Sequence, residues 1–309
     1  MKILLLGGNG YLGSKVARAL LEAGNSVVCT TRASSDLSRI ADIKNRLTLI
    51  PASIDAIEAA AISTQFDYVI NAVCNYGRSG SSYSDVIEAN IVFPLRILNN
   101  VAESRKCRYV TIGTGLPDSL NMYSFSKNIL NEFGKFYCDR CGMDFCCLSL
   151  EMFYGADEPP DRFFPSVIRR MFRGEDIDMT AGTQHRDIIS IRDVVQAIMM
   201  VVSAQLTGYW EIPIGTGVAP SISEVLDYMW DLTGRKSKLN KGAIPMRDKE
   251  PDCVADMSVI ESIGLWSPIP WKEGIKDMIE EIDDQIRGGT VASCFSCPRH
   301  DSRERRCAA

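Results

Sequence analysis

The chain has 309 residues, enough for one large domain or two smaller ones, and its 46% apolar and 24% charged content is that of an ordinary globular protein. A net charge of -5 argues against a general nucleic-acid binder, so any anionic ligand must be met by locally placed Arg, Lys or helix N-termini. No run of about 18 apolar residues argues for a membrane span, and eleven cysteines, an odd number scattered through apolar segments, fit free thiols in a reducing cytoplasm.

In chain order, residues 3–6 form an apolar strand. MKILLLGG is too short for a secretory signal and runs straight into a glycine-rich turn. GGNGYLG then leads into SKVARALLEAG, a helical pattern ending at Gly24. SVVCTTR, LTLI and DYVINAV follow as strands, with Cys29 and Cys74 as small buried hydrophobes. SDVIEANIVFPLRILNNVAES reads as one helix, RYVTIGT as a strand and NMYSFSKNILNEFGKFYCDR as a second long helix. MDFCCLSL, carrying Cys146 and Cys147, is the strand after it. Strands separated by helices predict an α/β fold, a doubly wound parallel sheet covered on both faces.

Past Leu150 the rhythm loosens. EMFYGADEPPDRFF reads as a loop, FFPSVIRRMFRG as a helix, and DIISIRDVVQAIMMVVSA as a short strand leading into a helix. YWEIPIG is another strand. SISEVLDYMWDLTG is a helix capped by Ser221 with Glu224 three residues on, and WKEGIKDMIEEIDDQI closes the fold. The expected organisation is a dinucleotide-binding domain from residues 1–155 and 187–215 with a smaller α/β substrate domain from 156–186 and 216–286. Residues 287–309 are polar, basic and aperiodic, and predict a disordered tail.

Gly7, Gly10 and Gly13, with Tyr11 and Leu12 between them, let the chain turn sharply and bring its backbone near a pyrophosphate. The helix that follows offers free N–H groups and its positive end to the phosphates. At the end of the second strand an acidic residue would accept hydrogen bonds from the adenosine ribose, whereas Arg32 stands there and no carboxylate precedes Asp36. NADP is therefore expected ahead of NAD, the other reading of Arg32 being a solvated loop residue.

Lys127 follows Tyr123 by four residues, so on a helix the two share a face. An ammonium beside a phenol lowers its pKa toward the range of a usable proton donor. Thr114 ends the preceding strand at the C-terminal sheet edge, where such folds bind ligands, and its hydroxyl can meet a substrate carbonyl. Asn75, Tyr76 and Arg78, just past the fourth strand, either line the same site or form a structured loop.

Together these pieces resemble the extended short-chain dehydrogenase/reductase family, of the NAD-dependent epimerase/dehydratase type, over residues 1–286. Glu88-Ala-Asn90 is similar to the family helix whose Asn supports the active site, and GTQHRDIISIRDVV to its G-x-x-x-R-D segment. The resemblance implies Thr114, Tyr123 and Lys127 as the catalytic set. It implies cofactor contacts from the glycine cradle, Arg32, Asn71, Asn90, Tyr123 and Lys127. It also implies substrate contacts from Asn75, Arg186 and Arg247, where Arg247 belongs to an element similar to R-x-G-D that lacks its glycine. Family 4,6-dehydratases carry an Asp-Glu pair after the Thr, where this chain has Gly115-Leu116.

The pattern is most similar to the CDP-abequose/CDP-paratose synthase group, which implies NADPH-dependent reduction of the 4-keto group of a nucleotide-linked deoxyhexulose by a cytoplasmic homodimer. The alternatives are an NAD-dependent nucleotide-sugar 4-epimerase and a non-catalytic NADP-binding regulatory protein. The two C-x-x-C spacings, Cys138/Cys141 and Cys294/Cys297, read as structural or incidental, so no metal site is expected.

Overall fold

The computed structural model describes residues 1–288 except 79, 105 and 106. The tail expected at the C-terminus lies outside the described residues from 289 onward. The first half alternates strand and helix: β1 (Lys2–Leu6), α1 (Tyr11–Glu22), β2 (Ser26–Thr31), β3 (Thr48–Pro51), α2 (Ile54–Ser63) and β4 (Tyr68–Asn71). It continues with α3 (Tyr83–Ile87), a π-helical turn over Glu88–Val92, α4 (Phe93–Ser104), β5 (Arg108–Ile112), α5 (Met122–Cys141) and β6 (Phe145–Leu150).

The second half holds β7 (Met152–Tyr154), α6 (Phe163–Phe172), β8 (Ile177–Met179), β9 (Ile188–Ser190), α7 (Ile191–Ala204) and β10 (Tyr209–Ile214). α8 (Ile222–Leu232), β11 (Leu239–Lys241), α9 (Ser258–Ile263) and α10 (Trp271–Arg287) complete it. Seven strands pair in parallel in the order β10-β6-β5-β4-β1-β2-β3. Parallel strands need both faces covered, which explains their nearly continuous apolar runs. One face packs α1 and α7 through Val16, Leu20, Val194 and Ile198, and the other packs α4 and α5 through Ile97, Leu98 and residues beside them.

A separate core lies between α6, α8 and α10, built on Ile168, Met171, Val225, Met229, Ile275 and Ile279. Two-stranded sheets β8–β11 and β7–β9 attach it. Residues 209–214 return to the main sheet beside β6, so the chain leaves that sheet after Leu150 and rejoins it as β10.

The single helix expected over residues 84–104 is divided. Pro94 has no N–H to donate to the carbonyl of Asn90, and the wider π-helical turn over Glu88–Val92 absorbs the mismatch before α4 begins. That turn carries Asn90. β7 also replaces part of the loop expected after β6.

Candidate active site

The cradle is closed by backbone. Gly7 holds the left-handed φ of 77°, the Gly10 N–H donates to the Gly7 carbonyl at 3.0 Å, and the Gly7 N–H donates to Thr30 Oγ1 at 3.3 Å. A Cβ on Gly13 would overlap the Gly7 carbonyl, so only glycine lets α1 start this close to β1. Gly10 caps α1 without a side-chain acceptor, and the first turn carries no acid, which leaves N–H groups and positive potential for an anion. These residues fit the diphosphate of a dinucleotide.

Leu12 is buried beneath the turn, and Tyr11 stacks on Phe153 with centroids 6.2 Å apart. The Lys15 ammonium and the Arg39 guanidinium each sit 5.4 Å from the Tyr11 ring, whose buried hydroxyl has no partner among the described residues. Arg32 leaves the end of β2 exposed, its backbone folded into a turn with Ser35, and its guanidinium makes no ion pair among the described residues.

Tyr123 lies in the first turn of α5, which is fixed by a reciprocal cap between Asn121 and Ser124. Its hydroxyl lies near the side chain of Thr114, two residues past β5 and almost fully buried. One turn along α5, buried Lys127 donates from Nζ to the Val73 carbonyl at 2.9 Å. The sequence predicts that this ammonium lowers the phenol pKa. In the structure burial outweighs every lowering influence and holds the phenol well above its ordinary value, with Cys74 adding to the rise. The Thr114 side chain and the guanidinium charges of Arg162 and Arg78 act in the opposite direction.

Asn90 is buried and locks the loop after β4. Its Oδ1 accepts from the Asn75 N–H at 2.8 Å, while Nδ2 donates to the Asn75 carbonyl at 2.8 Å and to Ser126 Oγ at 2.9 Å. Ser126 in turn donates to the Tyr123 carbonyl at 2.8 Å, so loop and α5 are one hydrogen-bonded unit. The Asn75 side chain caps Gly77 N–H at 2.9 Å. Asn71 is fully buried, donating to Thr111 Oγ1 at 3.2 Å and accepting from Val73 N–H at 3.2 Å, and so helps to fix the end of β4. Cys74, expected in a strand, lies beyond the end of β4, where burial pushes its thiol up while Lys127 and Tyr76 act against the rise.

The Tyr76 ring lies 4.9 Å from that of Tyr123, and the Arg162 guanidinium sits 4.1 Å from the centroid of Tyr76. Arg162 is missed by sequence reasoning because it stands in a Pro/Asp-rich loop with no local pattern. Arg186 is buried and pairs with Glu250 and the Pro251 carbonyl, and exposed Arg247 approaches the same carboxylate at 3.9 Å. The two arginines expected to meet substrate thus converge on one acidic group. Lys249 keeps a left-handed φ of 54° where the R-x-G-D element has glycine. Glu151, also missed, brings a buried carboxyl against Gly115, its pKa pushed up to about 7 by burial and by Asp187, with Arg186 opposing.

The NAD dependent epimerase/dehydratase family matches residues 3–209. The chain is 25% identical over 287 residues, 90% of its own length and 97% of the relative's, to CDP-abequose synthase from Salmonella muenchen. It is 24% identical to a putative UDP-glucose 4-epimerase from Methanocaldococcus jannaschii, across 92% of this chain and 99% of that one. In fold it is similar to UDP-glucose 4-epimerase from Thermotoga maritima, with a TM-score of 0.81 at 19% identity, covering 93% of this chain and all of that structure.

Proposed function

Because the chain belongs to the NAD dependent epimerase/dehydratase family, we propose that it is a 4-ketoreductase acting on a nucleotide-activated deoxyhexulose with NADPH. The similarity to CDP-abequose synthase across nearly the whole chain supports nucleotide-sugar modification in deoxysugar biosynthesis. The observation that carries the reductive reading is the buried Thr114 side chain beside the Tyr123 hydroxyl at the C-terminal sheet edge, combined with Gly115-Leu116 in place of an acidic pair.

A nicotinamide dinucleotide supplies hydride chemistry when bound. The glycine cradle and the α1 N-terminus would hold its diphosphate, Arg32 its 2′-phosphate, and Lys127 its nicotinamide ribose. Tyr123 would give up its O–H proton to the sugar C4 oxygen as negative charge develops there. A phenol held above its ordinary pKa keeps that proton until the charge appears. Thr114, Arg162 and Arg78 then stabilise the phenolate left behind, and Thr114 orients the oxygen.

Arg186 and Arg247 would bind the substrate diphosphate in exchange for Glu250. The test is NADPH oxidation against a panel of CDP-, dTDP-, UDP- and GDP-4-keto-6-deoxy sugars. Turnover with one nucleotide series supports the reading, and none with any of the four removes it. A 4-epimerase reading is favoured by the M. jannaschii relative and would show itself as tightly copurifying NAD.

A further inference from the structure

Read along the chain, the residue after Thr114 is glycine and the one after that is leucine, so β5 delivers no carboxyl to the site. Across the sheet the picture changes. β5 and β6 are neighbours in register, and Glu151 is the first residue past β6. Its carboxyl occupies the space that a side chain at position 115 would fill, since a Cβ built on Gly115 would overlap Oε1 of Glu151. The backbone on both sides is fixed, with Gly115 N–H donating to the Leu150 carbonyl at 2.8 Å and Glu151 N–H to the Ile214 carbonyl at 3.0 Å. The carboxyl therefore stands beside the residue that follows Thr114.

Glu151 is only 9% exposed, yet among the described residues no donor hydrogen-bonds its side chain. Its carboxyl oxygens are not sealed from solvent, so a carboxyl that the fold leaves without a partner is open to a ligand. The charged groups that act on it are Asp187 and Arg186, and it in turn helps hold the Cys253 thiol protonated. Asp187 does not compensate it. That carboxylate already accepts from the Thr216 and Gly217 N–H groups and from the Thr216 hydroxyl. Arg186 does not neutralise it either, since its guanidinium is held by Glu250 and the Pro251 carbonyl.

We propose that Glu151 enters the site as a protonated acid and donates a hydrogen bond to an oxygen of the substrate's hexose ring, making it a substrate-contacting residue supplied by the strand next to the one that carries Thr114. The proposal rests on the nucleotide-sugar reading above and specifies the chemistry of its sugar half. It also explains why position 115 is glycine: the carboxyl needs the room. Near neutral pH the group is poised to change state, with burial and Asp187 holding it protonated to about 7. A second carboxyl with a similar value, Glu158, lies nearer Arg162 and Asp157 and serves as the control.

The test is calorimetric binding of CDP-glucose, which carries no ketone and is not reduced, to enzyme saturated with NADP at pH 6 and pH 8.5, with CDP alone as reference. An acid titrating near pH 7 is mostly ionised at pH 8.5, so wild-type affinity for CDP-glucose falls about tenfold between the two. Glu151→Gln, which keeps a donor, binds equally at both pH values. Glu158→Gln retains the wild-type fall, and CDP alone shows no such fall in any form. A fall that survives in Glu151→Gln, vanishes in Glu158→Gln, or appears equally with CDP overturns the proposal. If Glu151→Gln does not fold, Glu151→Asp gives the same reading, because the shorter acid cannot reach the ring and the pH-dependent difference is lost. Failure of every 4-keto sugar to be reduced would instead strike the reductase reading, and the binding titration would still report on Glu151.

Discussion

Tyr76 lays its ring 4.9 Å from the ring of Tyr123 at an interplanar angle of 31°, so the proposed proton donor is held from the side by another phenol. The two rings come from elements that touch only in the folded chain, the loop after β4 and the first turn of α5. Tyr123→Phe removes only the hydroxyl and keeps this contact. Turnover in that variant is expected to fall by about three orders of magnitude while NADPH affinity, followed by fluorescence, is unchanged. Tyr76→Leu keeps the hydroxyl donor but loosens its support, and kcat should drop by roughly tenfold with little change in cofactor affinity. Normal turnover in Tyr123→Phe would refute the assignment.

Arg32 leaves the end of β2 with no carboxylate partner among the described residues. A guanidinium in that position gains a charge-assisted pair with a 2′-phosphate and gains nothing from a bare ribose. Arg32→Glu is expected to raise the KM for NADPH by about tenfold or more, while the KM for NADH stays level or falls. Equal losses with both cofactors would mean that the residue does no more than support its turn with Ser35.

Asn90 meets three partners from one buried amide: both backbone groups of Asn75, and Ser126. Truncation to Ala leaves an N–H and a carbonyl of the loop unpaired in a buried setting, a loss of about 2–4 kcal/mol. Asn90→Ala should therefore lower the denaturation midpoint and, because Ser126 also holds the Tyr123 carbonyl, reduce kcat as well. A variant that melts like the wild type would show that water replaces the amide without cost.

The parallel sheet was readable because strands buried on both faces must be apolar throughout, and the glycine cradle because its spacing is local to one turn. The pairing of Tyr123 with Lys127 was readable for the same reason, being one helical turn apart. The environment of Tyr123 was not. Its pKa depends on burial and on Cys74, Arg78 and Arg162, brought to it from two separate loops, and no spacing rule connects residue 162 to residue 123. Glu151 escaped notice because a carboxyl sought after Thr114 along the chain arrives from the neighbouring strand. The broken helix around Asn90 was signalled by Pro94, a residue that helix periodicity alone passes over.

Two helices present apolar groups to solvent: Tyr83 and Ile87 on the short α3, with Phe125, Phe133 and Phe136 on the long α5. The α5 residues recur at helical spacing on one side, as an interface does. Light scattering on the eluting protein is expected to give a dimer, and Phe133→Lys with Phe136→Lys a monomer. A wild-type monomer at micromolar concentration sinks the expectation.

Glu151 makes stability depend on pH in a direction opposite to that of an ion-paired carboxylate. Its folded pKa is raised to about 7 from 4.5. Between those values the native state keeps a proton that the unfolded chain has released. Stability therefore falls as pH rises through that window and levels off above it, by at most ~3 kcal/mol for this group. Below the lower value both states are protonated and the penalty is absent. Glu151→Gln has no proton to lose, so it should melt a few degrees above the wild type at pH 8 and together with it at pH 4. If the two proteins melt together at pH 8, the carboxyl is either solvated in the folded state or compensated by Arg186, and the burial penalty assigned to it is wrong.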